Sequence, residues 1–106
     1  MLHLAGELDL LSSPLLDEVV GRQISMGHAR LVLDLADLGF VDSIGLSALL
    51  TARRRAEAAN GWLVVRAASP RLRSILEVTR LDRELHLEDR DGRPVLASAA
   101  REGTWT

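Results

Sequence analysis

Apolar positions along the chain switch repeatedly between a two-residue and a helical period, and the switches mark out the elements. Residues 1–5 alternate as a strand that closes at Gly6-Glu7-Leu8-Asp9. Ser12-Ser13-Pro14 then opens a helix: Ser13 is placed to cap, and Pro14 suits the first helical position. Leu15, Leu16, Val19, Val20 and Ile24 keep near-helical spacing, Asp17 and Glu18 fall in the first turns, and Gly27 supplies the stop. Residues 31–36 form a second strand. Leu31, Leu33 and Leu35 share one face and Val32, Asp34 and Ala36 the other, which predicts a central position in a sheet.

A long helix is expected from about residue 43 to 60, ended by Asn60-Gly61. Residues 62–66 read as a third strand, with Trp62 a packing residue. Ser69-Pro70 opens a helix carrying Leu72, Ile75, Leu76 and Val78 at helical intervals. Residues 85–88 are a short strand, Asp91-Gly92 a turn, residues 94–101 a final helix and residues 102–106 a tail. Strands alternating with helices predict an α/β domain over residues 1–101. Its central sheet is mostly parallel, with about four strands and about four helices packed on it.

Composition narrows the function. No cysteine is present, which excludes disulfides and Cys-based zinc sites. The 13 basic residues are outnumbered by 15 acidic ones, so no basic footprint points to nucleic acid. All 13 are arginine; lysine is absent. Asp34, Asp37 and Asp42 interrupt the most apolar stretch well short of the ~18 residues of a membrane span. Residues 1–7 lack a basic segment followed by an apolar run, so the expected location is cytoplasmic.

The candidate chemistry lies where the second strand leads into the long helix. Asp42-Ser43 places a hydroxyl at the positive end of a helix dipole, which receives phosphate well. The bland alternative is that Asp42 or Ser43 merely caps the helix. Against it, no Glu or Gln follows Ser43 by three residues, so there is no capping box. Gly45 in the first turn costs up to ~1 kcal/mol relative to alanine. A glycine there makes sense if another backbone comes close or an enzyme must reach Ser43.

Asp42-Ser43-Ile44-Gly45-Leu46 resembles the signature of STAS domains, specifically anti-sigma factor antagonists (anti-anti-sigma factors). Gly6-Glu7-Leu8-Asp9 is similar to the family's Gly-x-Leu-Asp turn, and Leu76-Glu-Val-Thr79 with Leu81-Asp82 to its third helix and exit. Together these span about residues 4–88. The resemblance implies Ser43 as phosphoacceptor, with Asp42 before it and Asp9 beside it at the end of a neighbouring strand. It places Gly45 and Leu46 in the first turn of the helix, near the partner-binding surface.

Two departures bear on the site. Ile44 stands where relatives often have a second serine, which leaves Ser43 the clearer acceptor. Ser47 stands where a small residue is common, one turn from Ser43, and is a candidate minor site. A third concerns the start: the family usually has a further strand before Gly6-Glu7. Here either the sheet lacks that edge strand or the start is short.

The resemblance implies a regulatory domain rather than an enzyme, with no cofactor and no metal. Unphosphorylated, it would bind an anti-sigma factor of the serine-kinase type and release a sigma factor. Phosphorylation of Ser43 would end the contact and a serine phosphatase would restore it. The family alternative is a scaffold or transporter-associated STAS module that binds partners without a sigma-factor cycle.

Rival chemistries fare worse. Residues 31–35 resemble the acceptor strand of a phosphoaspartate receiver, but that chemistry needs a lysine. A serine hydrolase needs a Gly-x-Ser-x-Gly elbow, which Ser43 lacks. His3, His28 and His86 occupy no recognisable catalytic context and read as surface or strand residues. Arg53-Arg54-Arg55 cannot form one helical face and reads as a solvated stretch.

Overall fold

The computed structural model describes residues 1–81 and 84–94. Strand β1 (Leu2–Leu8) leads into helix α1 (Ser13–Ser25), then β2 (Arg30–Val41), α2 (Ser43–Ala58), β3 (Trp62–Arg66), α3 (Pro70–Val78) and β4 (His86–Glu88). The four strands lie side by side in chain order, and every pair is parallel. Crossovers between parallel neighbours are right-handed almost without exception, and repeated between successive neighbours this places the helices on one face of the sheet.

That face is the core. Leu31, Leu33 and Leu35 of β2 and Leu63 and Val65 of β3 point into it, against Leu46, Leu49, Ala52 and Ala56 of α2 and Leu72 and Leu76 of α3. Each buried leucine contributes roughly 1.5–3 kcal/mol by leaving water. β2 is central, as its two-sided apolarity predicts, yet its second face is only half-buried. Polar contacts lie across that open face: His3 Nδ1 sits 3.3 Å from an Asp34 carboxylate oxygen, and Arg66 pairs with Glu88 at 2.9 Å.

Several elements differ from the sequence reading. β1 continues through Gly6 to Leu8, and β2 runs twelve residues to Val41 where a loop was expected after Ala36. The extension holds because β1 and β2 stay paired through two irregularities, where β2 carries a surplus residue each time. Ser12 rather than Ser13 precedes α1 as its N-cap, and its hydroxyl donates to the Glu7 carbonyl instead of capping the helix.

Asp17 lies beyond the first turn of α1 and pairs with Arg55 of α2 at 3.0 Å. Arg53 pairs with Glu57, while Arg54 and Arg55 stay exposed, as a solvated stretch would. Trp62 is 42% exposed, because its side chain falls on the open face of β3. The helix expected over 94–101 lies, beyond Pro94, outside the described residues, as do Asp82 and the tail; Pro94 itself bridges Glu88.

Candidate functional site at the carboxyl edge of the sheet

In an open parallel sheet the loops leaving the carboxyl ends of the strands form the natural binding rim. Leu8 and Val41 pair at that rim, so Asp9 and Asp42 leave the sheet side by side. The Asp42 amide also donates to the Leu8 carbonyl at 3.3 Å, which ties the two loops together.

Asp42 is the N-cap of α2. Its backbone is extended, and its carboxylate accepts the Gly45 amide at 2.8 Å. Ser43 is therefore released from capping and becomes the first helical residue, with its side chain exposed. Among the described residues no hydrogen bond engages its hydroxyl. An accessible, uncommitted hydroxyl beside the first amides of a sixteen-residue helix can receive a phosphoryl group and keep it solvated.

Gly45 is buried against the end of β1: a Cβ there would collide with the Leu8 carbonyl oxygen. The close backbone approach that a glycine at this position suggested is thus made by Leu8. Leu46, expected near the partner surface, lies in the core at 7% exposure, because Leu46, Leu49, Ala52 and Ala56 form the buried stripe of α2. Ile44 is 42% exposed, and Ser47 is exposed one turn further on.

Asp9 organises the opposite lip. Its carboxylate accepts the Ser12 amide at 3.1 Å and the Leu11 amide at 3.0 Å, and lies 3.1 Å from the Ser12 hydroxyl, whose one proton it shares with the Glu7 carbonyl. The Ser12 amide, helped by that hydroxyl and the Leu11 amide, holds the Asp9 carboxyl below its ordinary value of 3.8. A carboxyl that is more acidic folded than unfolded stabilises the fold above its unfolded pKa, and loses that contribution as pH falls through the folded one. Asp9→Ala is therefore expected to melt below wild type at neutral pH, with the gap closing in acid. Thermal unfolding followed by circular dichroism between neutral pH and pH 2 checks this; a gap that widens on acidification contradicts it.

The tight Asp9 turn holds two leucines outward. Leu10 is 63% and Leu11 87% exposed, and Phe40 near the end of β2 is 49% exposed. Leu10 and Leu11 lie in the loop between β1 and α1, and Phe40 follows Gly39, so apolar periodicity carries no information at these three. Among the described residues no group of three His, Cys, Asp or Glu side chains is spaced to hold a metal ion. None of the described helices is long and apolar enough to cross a membrane.

A four-stranded parallel sheet with helices on one face, and a free serine at the head of the second helix, defines a small α/β domain with its site on a loop rim. The chain belongs to the STAS domain family, whose model matches residues 1–92. BtrV of Bordetella bronchiseptica, named as an anti-sigma factor antagonist, is 28% identical over 76 residues. That match covers 72% of this chain and 66% of BtrV, just under two thirds of its length.

Solved structures agree in fold. A Thermotoga maritima protein, TM1081, also named as an anti-sigma factor antagonist, has a TM-score of 0.74 at 20% identity, covering 95% of this chain and 82% of that one. The anti-sigma factor antagonist SpoIIAA in its unphosphorylated form is 25% identical, with a TM-score of 0.59 over 76% of this chain and 84% of that one. The Bacillus SpoIIAA structure in the phosphorylated form has a TM-score of 0.63 at 22% identity, covering 96% and 86%. A sulfate transporter family protein of Wolinella succinogenes reaches 0.73 at 17% identity, covering 94% and 84%.

Proposed function

We propose that this STAS domain is an anti-sigma factor antagonist that works in the cytoplasm as a partner switch. Its unphosphorylated rim binds a serine-kinase anti-sigma factor and so frees a sigma factor. Phosphorylation of Ser43 ends the contact, and a serine phosphatase restores it. Asp9, Asp42, Ile44 and Ser47 lie around the contact, while Gly45 and Leu46 hold the helix end that presents it.

One observation carries the reading: Asp42 takes the capping duty, which leaves the Ser43 hydroxyl exposed and uncommitted at the head of α2. A solved SpoIIAA structure in the phosphorylated form supports the same chemistry in a protein of the same fold. Incubating the chain with an anti-sigma factor kinase and ATP, followed by mass-spectrometric mapping, is expected to find one phosphate on Ser43. Stoichiometric phosphate on another residue, or on a Ser43→Ala variant, contradicts it.

The likeness to the sulfate transporter family protein favours a second reading, a transporter-associated module that docks through the same rim with no sigma-factor cycle. Co-purification separates the two. A kinase with an ATP site supports the switch; a transporter subunit supports the module.

A further inference from the structure

β3 ends at Arg66, opposite Asp34, while β2 runs on to Val41. A step therefore opens at the carboxyl edge between β2, the start of α3 and the end of β4. It holds a cavity of about 260 Å³, lined by Ala36, Ala67, Ala68, Ser69, Arg73 and Arg90 among others. Ala67 has a φ of 60°, uncommon outside glycine, and its amide donates to the Glu88 carbonyl at 2.9 Å. That bond ties the turn from β3 towards α3 to the end of β4, and the small side chains of Ala67 and Ala68 leave the space open.

Donors line this space without acceptors to match them. The Nε atom of Arg73 is buried with no hydrogen-bond partner, and among the described residues no ion pair engages its guanidinium. Buried donors left unpaired in this way are rare and ask for an explanation. Arg53 also buries a bare Nε, but its guanidinium is held by Glu57. Arg90 is exposed and likewise has no side-chain partner among the described residues, where the amides of Ala68 and Ser69 also make no hydrogen bond. The carboxylates at the margin are already occupied. Glu88 accepts Arg66, and Asp89 accepts the amides of Asp91 and Arg93.

We propose that this step binds a phosphate group, as the free ion or carried by a small molecule. Each guanidinium offers paired donors that match phosphate oxygens, and the two loop amides add uncharged donors to the set. Four donor groups suit the three free oxygens of a phosphate better than the two of a carboxylate. The space is several times the ~30 Å³ of one water, yet below the roughly 300–1,000 Å³ that encloses a drug-sized ligand. Whatever carries the phosphate is therefore small. The site shares the carboxyl rim with Ser43 but does not include it, and it stands independently of the proposed switch.

Titration of the whole chain with inorganic phosphate, at ionic strength held constant with sodium chloride, tests the site by ¹H–¹⁵N NMR. Saturable shifts of the Ala68 and Ser69 amides are expected, with a dissociation constant of about 1–10 mM. Arg73→Gln and Arg90→Gln each remove one charged partner and are expected to weaken binding about tenfold. Circular dichroism accompanies both variants. Arg90 is exposed, so Arg90→Gln carries the test alone if Arg73→Gln fails to fold. Glycerol phosphate decides the source: tighter binding of the ester assigns the site to a small organic phosphate, and equal or weaker binding to the free ion. No saturation below about 50 mM, or shifts confined to the head of α2, overturns the proposal. So does an affinity that neither variant moves, which marks an adventitious ion only.

Discussion

Replacing Ser43 by aspartate is expected to weaken binding to the anti-sigma factor about 30-fold, and phosphorylation to weaken it several hundredfold. The difference follows from charge. Phosphoserine adds roughly −1.5 to −2 charges, aspartate only one. The head of α2 welcomes either by ~0.3–2 kcal/mol, so neither should unfold the domain. Asp9 and Asp42 leave the sheet beside Ser43 and oppose the new charge. At ~5 Å and an effective dielectric near 20, each like-charge pair costs up to about 3 kcal/mol, reduced by solvent.

The free domain therefore tolerates the dianion, because solvent screens the repulsion at this exposed hydroxyl while the helix end favours the charge. In the complex the group loses water, and ~3–4 kcal/mol there accounts for the several-hundredfold loss. No conformational change is needed. Isothermal titration of wild type, Ser43→Ala and Ser43→Asp against one anti-sigma factor measures this; the alanine variant should bind like wild type. If aspartate binds equally well, charge at this hydroxyl does not govern the contact.

Gly45→Ala is expected to destabilise the fold, against its favourable helix propensity. Alanine gains up to ~1 kcal/mol in an unstrained helix. Here the new methyl meets the Leu8 carbonyl oxygen, the same atom that accepts the Asp42 amide. Overpacking of this kind costs typically ~1–3 kcal/mol, and it also prises apart the bond between the two rim loops. A net loss of about 1–2 kcal/mol should lower the melting temperature by roughly 4–15 °C in a domain this size. Ser47→Ala, exposed on the same helix, serves as the control and should stay within ~0.5 kcal/mol of wild type. An unchanged melting temperature for Gly45→Ala would mean the contact with β1 yields freely.

The three described helices and the succession of strands along the chain were legible because their signals are periodic and local. Leu46, Leu49, Ala52 and Ala56 mark the buried stripe of α2, and Asn60, with φ of 63°, ends it as the Asn-Gly pair indicates. Leu46 lies in the first turn of α2 as expected, but its side chain joins that buried stripe. Strand ends were harder. Gly6 reads as a turn, and it does adopt a positive φ, yet pairing with β2 carries the strand two residues further. Likewise Asp37 and Gly39 suggest a loop, but both fall where β2 bends past β1. Long-range pairing decides such positions, and no window of sequence contains it.

Which of Asp42 and Ser43 caps the helix was also open in the sequence, since both residue types suit the role. The bond from the Asp42 amide to Leu8 settles it, by fixing Asp42 in the extended conformation that a cap requires. The exposed leucines of the first loop had no periodic signal at all. Their outward position follows from the Asp9 carboxylate gathering two amides and a hydroxyl beneath them.

The two surplus residues of β2 make the placement of Ser43 a matter of chain length as much as chemistry. Leu35 and Leu38 both point inward, three positions apart, only because one residue between them has no counterpart on β1. Losing a single residue from this stretch would rotate everything downstream to the opposite side, whatever the remaining side chains were. Substitution can therefore vary the exposed positions Ala36, Asp37 and Phe40, whereas insertion or deletion there would move the hydroxyl out of reach.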